Sequence, residues 1–173
     1  MKISKIKYSM LIPLALIIIL IACSETPVDP SKLPKALTMT DLKDTVKAGY
    51  KWFLPAFRDY QPDTTIVRQI KEAFAANPCR FYIFVNATCE CVGTQVEFPS
   101  IMKTITSANI DTVNFEMYDS HGAEPYPEIK TNRFPSCFII RNKIAVYSVT
   151  DTLVAYPDKN YTVEQVILMG MQK

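Results

Sequence analysis

Two cysteines that are one residue apart, Cys89 and Cys91, have the clearest capacity for chemistry in this 173-residue chain. A thiolate attacks a disulfide, and a second thiol nearby can release the resulting mixed disulfide by bonding to the first. A disulfide between Cys89 and Cys91 would close a very small ring, which strains the bond and makes it easier to reduce. The pair therefore predicts a labile dithiol–disulfide centre. The alternatives are a structural disulfide with Cys79 or Cys137, inert thiols, and a metal site.

The segments on either side of the pair are typical of a strand and a helix. The apolar run Phe81 to Val85 predicts a strand that is covered on both faces. Pro99 follows the pair inside a helical pattern and is expected to kink that helix, because proline has no backbone N–H to donate. The apolar residues that recur at helical spacing are Phe98, Ile101, Met102 and Ile105.

The start of this helix decides how reactive a neighbouring thiol is. A helix N-terminus stabilises a thiolate through its free N–H groups and its dipole. Thr94 and Glu97 have the spacing of a capping box, which predicts Thr94 as the N-cap. Cys91 would then lie three residues before the N-cap, and the adjacent Glu90 would oppose thiolate formation. Both expectations argue against a strongly acidic cysteine.

Further elements are predicted on both sides of this region. Apolar residues at steps of three and four predict a helix over 42–60, interrupted near Pro55, and a second helix capped by Asp63. Asn142-Lys143 fits a two-residue hairpin turn. The other predicted elements are a strand over 112–118, a polar loop over 118–133, strands over 136–140 and 144–149, and a closing helix over 162–171.

The order of these elements defines the fold class. A β-α-β start requires a parallel pair of strands, and the final hairpin adds antiparallel strands. We therefore expect an α/β fold with a mixed central sheet, helices on both faces and an N-terminal helical extension.

The order of motifs along 81–149 resembles the thioredoxin-like superfamily, especially its exported bacterial members. The resemblance implies a thioredoxin-like sheet flanked by helices, in which Pro135 is a cis-proline that shapes the substrate groove. It also implies that Cys89 and Cys91 are the catalytic residues of a thiol-disulfide oxidoreductase that needs no cofactor. The matching residues are Phe84, Ala87, Cys89, Cys91, Glu97, Pro99 and Pro135.

Two departures from the family pattern leave the roles of the cysteines open. Thr88 stands where the family has Trp, and Cys-x-Cys replaces Cys-x-x-Cys. Counting forward from the strand aligns Cys89 with the family nucleophile. Counting back from the Glu-x-Pro motif aligns Cys91 instead and puts Thr94 at the resolving position. A thioredoxin-like binding module without catalysis is therefore an alternative function.

A metal site is the second alternative. His121, the single histidine, follows the predicted strand over 112–118, whose end is expected at the same sheet edge as the cysteine loop. Cys89, Cys91 and His121 would form a soft S,S,N set suited to Cu(I). In this respect the chain resembles copper-delivering thioredoxin-fold lipoproteins, although their cysteine spacing is wider.

The two remaining cysteines are expected to lie away from this chemistry. Cys137 follows Pro135 by two residues and is expected as a buried core thiol, with a third redox partner as the alternative. Cys79 precedes the first long strand and is expected as a packing residue or a surface thiol.

The N-terminus has the composition of an export signal. Lys2, Lys5 and Lys7 precede an apolar run that is too short for a comfortable membrane span. The run ends in Leu20-Ile21-Ala22-Cys23, which resembles the bacterial lipoprotein lipobox. That resemblance implies cleavage after a signal peptide over 1–22 and acylation of Cys23.

We expect the exported chain to have a tether and one domain. The tether covers 23–40 and is rich in Pro, Ser and Thr. The thioredoxin-like domain covers 41–173, with a helical extension over 41–76 and a core over 80–173.

The charge balance argues against nucleic acid as a partner. The chain has 19 basic and 17 acidic residues, and loss of the three signal lysines leaves a net charge near −1. No basic stripe for nucleic acid is present. We expect the partners to be thiols or disulfides of exported proteins, met in the cell envelope, periplasmic or surface-facing, where the lipid anchor contacts the membrane.

Overall fold

The computed structural model describes residues 34–44, 50–89, 91–120 and 129–173. The chain divides into two compact units, Met1–Lys32 and Leu33–Lys173, and all of the described residues belong to the second. The predictions for the signal peptide, Cys23, Glu90 and His121 lie outside the described residues. Within the described ranges, no helix has both the length and the apolar character needed to cross a membrane.

Five strands form one mixed sheet at the centre of this unit. They are β1 (Lys35–Leu37), β2 (Arg80–Val85), β3 (Phe115–Asp119), β4 (Ser136–Arg141) and β5 (Ile144–Ser148). The strand order is β1-β3-β2-β4-β5. β2 and β3 are parallel, and the other neighbouring pairs are antiparallel.

The helices connect these strands. They are α1 (Met39–Lys43), α2 (Phe53–Asp59), α3 (Thr64–Ala76), α4 (Phe98–Ser107), α5 (Val149–Ala155) and α6 (Val163–Met171). A π-helical turn, Gly93–Glu97, leads directly into α4. Short 3₁₀ turns occur at Thr112–Asn114 and Pro157–Lys159.

Local sequence signals explain several element boundaries. Asp63 caps α3 by accepting hydrogen bonds from two backbone N–H groups, as predicted. Thr162 and Gln165 form a capping box at the start of α6. Asn142 and Lys143 both adopt positive φ, at 49° and 66°, which is the backbone that a tight two-residue hairpin needs.

The core is divided between the two faces of the sheet. Every described helix contributes buried residues to one large cluster, together with Phe81, Ile83 and Val85 of β2. A smaller cluster on the opposite face includes Tyr82 and Phe84 of β2 and, among the described residues, contains no helical residue. We expected helices on both faces; the described helices pack on one.

Close packing of the final helix depends on a glycine. A Cβ placed on Gly170 would lie 2.5 Å from side-chain carbons of Ile139 and Tyr147, so only glycine lets α6 approach the sheet this closely. Glu164 of α6 is 3% exposed and accepts a hydrogen bond from the Tyr60 hydroxyl at 2.5 Å. This contact fixes the helical extension to the closing helix.

The predicted fold class, an α/β fold with a mixed central sheet flanked by helices and an N-terminal helical extension, is confirmed, and the arrangement is compatible with a thioredoxin-like fold. Several element boundaries differ. Residues 35–37 fall inside the expected tether but form β1, which pairs with β3. Pro55 does not interrupt a helix, because it lies in the first turn of α2, where no N–H donor is needed. The strand predicted over 112–118 is shifted to β3, and Val149 begins α5 instead of ending β5.

Candidate functional site

The cysteine loop follows β2 directly and is shaped by Asn86. The side-chain oxygen of Asn86 accepts hydrogen bonds from the Thr88 N–H at 3.0 Å and the Thr88 hydroxyl at 2.7 Å. The Asn86 carbonyl accepts from the Cys89 N–H at 3.1 Å. Asparagine readily forms such turns with the backbone two residues ahead. Asn86 therefore fixes the turn by which the chain reaches Cys89.

Asp119, at the end of β3, links the cysteine loop to the N-terminal helical extension. One carboxylate oxygen accepts from the Ala87 N–H at 3.3 Å, and the other accepts from the Tyr50 hydroxyl at 2.7 Å. Burial, with a smaller contribution from Asp119, raises the pKa of Tyr50 above its ordinary value. Sequence analysis missed this contact because Tyr50 and Asp119 are 69 positions apart and no local pattern links them.

Cys89 and Cys91 are joined by a disulfide, with their α-carbons 5.3 Å apart. Both residues are half-buried, and the Cys91 N–H donates to the Cys89 sulfur at 3.3 Å. Cys79 and Cys137 are free thiols. The alternative in which the motif cysteines are stapled to Cys79 or Cys137 is therefore wrong for this structure.

The helix begins earlier than predicted. Val92 already has helical angles, and the Gln95 N–H donates to the Cys91 carbonyl at 3.0 Å. Cys91 therefore sits at the N-terminal end of the helix, and the predicted N-cap role of Thr94 is wrong. Thr94 is fully buried inside the first turns, and its hydroxyl lies 3.3 Å from the Cys91 sulfur. Because a disulfide sulfur carries no proton, the Thr94 hydroxyl is the donor.

Glu97, the other member of the predicted capping box, has a different partner. Its two carboxylate oxygens accept from Arg133 Nη2 at 3.2 and 3.0 Å, and both side chains are about three-quarters buried. Arg133 lies two residues before Pro135, so the ion pair ties the proline loop to the helix that follows the cysteines. Partial burial makes such a pair stronger than an exposed one.

Gly93 lets the proline loop approach the helix. A Cβ on Gly93 would lie 3.1 Å from Pro135 Cδ and 3.0 Å from Arg133 Nη2, which leaves little room for any other residue. The Phe134-Pro135 peptide bond is cis, as the family resemblance implied. Gly93, next but one to Cys91, was visible in the sequence, but its role depends on a segment about forty residues away.

The turn between Cys91 and Pro99 is not a regular α-helix. The Phe98 N–H donates to the Gly93 carbonyl, an i to i−5 bond, and the helix becomes α-helical at Phe98, directly before Pro99. Single π-helical turns of this kind occur frequently at functional sites. The irregularity predicted at Pro99 thus lies in the turn that precedes it.

Apolar side chains are exposed beside the disulfide. Val92 is 73% exposed and Val96, one turn further along, is 55% exposed. Their Cβ atoms share one side of the helix because they are four residues apart. The half-buried disulfide therefore has an apolar strip next to it that is free to contact another molecule.

The two remaining thiols lie in different surroundings. Cys79 is 5% exposed, with its sulfur 3.4 Å from the Met171 sulfur, and burial raises its pKa to about 11. Cys137 is fully buried, and burial raises its pKa far above the ordinary value. The expectation of a buried core thiol is confirmed for Cys137, and the surface alternative is wrong for Cys79.

The structure thus joins Cys89 to Cys91 and places Pro135 and Arg133 against Gly93, two residues after Cys91. Among the described residues, no group of three or more His, Cys, Asp or Glu side chains is placed to hold a metal ion. The predicted Cu(I) site includes His121, which lies outside the described residues, so that site stays a prediction. No protein-family model matches the chain, and no curated protein or solved structure matches it.

Proposed function

We propose that this protein is a membrane-anchored, thioredoxin-like thiol-disulfide exchange protein that acts on exported proteins through Cys89 and Cys91. One observation carries the proposal: a half-buried disulfide lies at the N-terminal end of a helix and beside the Pro135 loop. In this position Cys91 is partly exposed and lies at the positive end of the helix dipole.

The order of the two thiols follows from their surroundings. In the reduced protein, a thiolate on Cys91 would lie at the positive end of the helix dipole and would accept from the Thr94 hydroxyl, which is 3.3 Å from its sulfur. Cys89 lies two residues earlier, in the loop held by Asn86, and its sulfur accepts one hydrogen bond, from the Cys91 N–H at 3.3 Å. We therefore assign the attack on substrate to Cys91 and the resolving step to Cys89.

The exchange proceeds in two displacements. The Cys91 thiolate attacks one sulfur of a substrate disulfide, which forms a mixed disulfide and releases the other substrate sulfur as a thiolate. The Cys89 thiolate then attacks the Cys91 sulfur, which forms the Cys89–Cys91 disulfide and releases the first substrate sulfur. Two electrons pass from the protein dithiol to the substrate disulfide. The same steps in reverse would transfer a disulfide to a substrate dithiol.

The partner would be a folded or unfolded exported protein. Val92 and Val96 give it an apolar contact beside the reacting sulfur. An anchor at Cys23 would keep the domain at a membrane of the cell envelope, where disulfides form and persist.

Reduction of insulin disulfides by dithiothreitol tests the proposal, with wild-type protein compared to Cys91→Ser and Cys89→Ser. We expect Cys91→Ser to lose all acceleration over dithiothreitol alone. Cys89→Ser, reduced and freed of dithiothreitol before insulin is added, should retain the attack but accumulate a mixed disulfide with insulin, which mass spectrometry would place on Cys91. Cys137→Ser is the matched control, because it removes a thiol outside the site. If both motif variants reduce insulin at the wild-type rate, the proposal fails and a non-catalytic binding module becomes the better account.

A further inference from the structure

A cavity of about 690 Å³ opens at the sheet edge opposite the disulfide, where β2 and β3 begin and β4 ends. β2 is six residues long, so roughly 17 Å of strand separates this edge from the end of β2 that leads to the cysteines. The volume falls within the range of small-molecule sites in proteins. The lining residues used below are Arg80, Tyr82, Ile129, Ile140, Arg141 and Lys143.

The floor of the cavity is apolar. Tyr82, Ile129 and Ile140 are between 3% and 8% exposed and belong to the smaller core cluster, the one without described helical residues. These side chains bury hydrocarbon and one aromatic ring, so they favour a ligand whose body is apolar.

Arg141 is a cation with only part of its hydrogen-bond donors paired. Its Nη2 donates to the Met171 carbonyl at 2.8 Å and, more weakly, to the Asn77 carbonyl at 3.4 Å. Its Nε and Nη1 are buried and have no hydrogen-bond partner. A guanidinium keeps its charge at every accessible pH, so the missing partners cannot be removed by deprotonation. Buried donors without acceptors are rare, so this guanidinium adds positive charge next to the cavity that no hydrogen bond from Nε or Nη1 to a described residue offsets.

The rim of the cavity is basic. Arg80 is neutralised by Glu116 at 2.6 Å, and it also lies 6.0 Å from the centre of the Tyr82 ring. Lys143 is exposed in the β4–β5 turn. Among the described residues no carboxylate pairs with Arg141 or Lys143, so within this part of the chain the two cations at the cavity are not neutralised by an ion pair. Positive charge above an apolar floor focuses the field on an anion.

We propose that this cavity binds a small organic anion, whose apolar body rests on Tyr82 and Ile140 and whose acidic group contacts Lys143 and is attracted by the nearby charge of Arg141. The site goes beyond thiol-disulfide exchange and does not depend on it, because neither motif cysteine lines the cavity.

Titration of the full chain with 4-phenylbutyrate and with the neutral 4-phenylbutan-1-ol tests this inference. We expect saturable one-to-one binding of the carboxylate in calorimetry, and shifts in the backbone amide signals of Tyr82, Ile140 and Lys143 in NMR spectra. The affinity should fall about tenfold in Lys143→Gln, since one charge contact is lost. Lys159→Gln, a remote exposed lysine, should leave the affinity unchanged.

Two outcomes would overturn the inference. One is equal affinity for the carboxylate and the alcohol, which would mean that the cations play no part. The other is carboxylate binding that Lys143→Gln does not weaken or that shifts no amide at the cavity. A further variant, Arg141→Gln, removes contacts to two backbone carbonyls and could fail to fold. Lys143→Gln changes only a surface side chain, so it tests the site in either case. None of these results depends on the insulin assay.

Discussion

The four cysteines in the described part of the chain form two pairs with opposite surroundings. Cys89 and Cys91 are half-buried in a loop at a helix N-terminus and are joined to each other. Cys79 and Cys137 are buried in the main core and remain thiols. The residue type is the same, so the difference in chemistry comes from hydration and from the helix end. Burial penalises the thiolate, whereas free N–H groups stabilise it.

The largest expected difference between the pairs is in exchange activity. Cys91→Ser should abolish insulin reduction above the background rate, because it removes the attacking sulfur. Cys137→Ser should leave the rate per folded molecule unchanged, since that sulfur is fully buried. Comparison of the two rates, corrected for the folded fraction by circular dichroism, checks the prediction. A large loss in Cys137→Ser at full folding would contradict the division between the pairs.

The second prediction concerns the thiolate population of the buried pair. The pKa of Cys79 rises from an ordinary value of 9.0 to about 11, so at pH 8 its thiolate is about 100-fold scarcer than in an ordinary thiol. Because alkylation requires the thiolate, labelling by iodoacetamide should be slow at pH 8. It should then rise about tenfold per pH unit until the pH approaches that pKa. Peptide mass spectrometry of the native oxidised protein measures the rate. Labelling of Cys79 at pH 8 as fast as that of free cysteine would refute the assignment.

The third prediction sharpens the role of the apolar strip. Val92→Asp should slow the reduction of insulin by about tenfold, because it places a charge where a protein partner makes apolar contact. Reduction of a small disulfide such as oxidised glutathione should change less. Val113 is also 73% exposed, but it lies at the opposite sheet edge, so Val113→Asp is the matched control. Equal effects of the two variants on insulin would show that the strip has no special role.

The smallest expected effect concerns the ion pair behind the site. Arg133→Met should lower the free energy of unfolding by about 1 kcal/mol, because the Arg133–Glu97 pair is partly buried and doubly hydrogen-bonded. Arg68→Met breaks an exposed pair with Glu72 and should cost only about 0.3 kcal/mol. Urea denaturation of both variants tests the difference. Equal losses would mean that the Arg133–Glu97 pair stabilises the fold no more than a surface ion pair does.

Local patterns predicted most of the fold. The apolar run of β2, the cap at Asp63 and the turn at Asn142-Lys143 each depend on neighbours in sequence, and each was found where expected. The edge strand β1 was missed because three residues next to a Pro-rich segment have no periodicity of their own. It is a strand only because β3 offers it a partner.

The functional site also shows that local sequence patterns cannot predict contacts with distant parts of the chain. The cysteine pair and Pro135 were recognised from their order along the chain. The helix start was predicted wrongly, because Thr94 and Glu97 have the spacing of a capping box but do not form one. The Thr94 hydroxyl instead contacts the Cys91 sulfur three residues earlier, and Glu97 pairs with Arg133, 36 residues further along the chain. A capping motif shows what a residue is able to do, and packing decides whether it does so. The error matters because it had placed Cys91 away from the helix end.

Disulfide mapping during a glutathione redox titration tests the central claim most directly. Trypsin releases one peptide, Phe81 to Lys103, that contains both motif cysteines, while Cys79 and Cys137 fall in separate peptides. The account predicts that this peptide loses and regains two hydrogens reversibly as the glutathione ratio changes, with Cys79 and Cys137 remaining thiols throughout. A bond from Cys89 or Cys91 to either buried cysteine, or motif thiols that never oxidise, would contradict it.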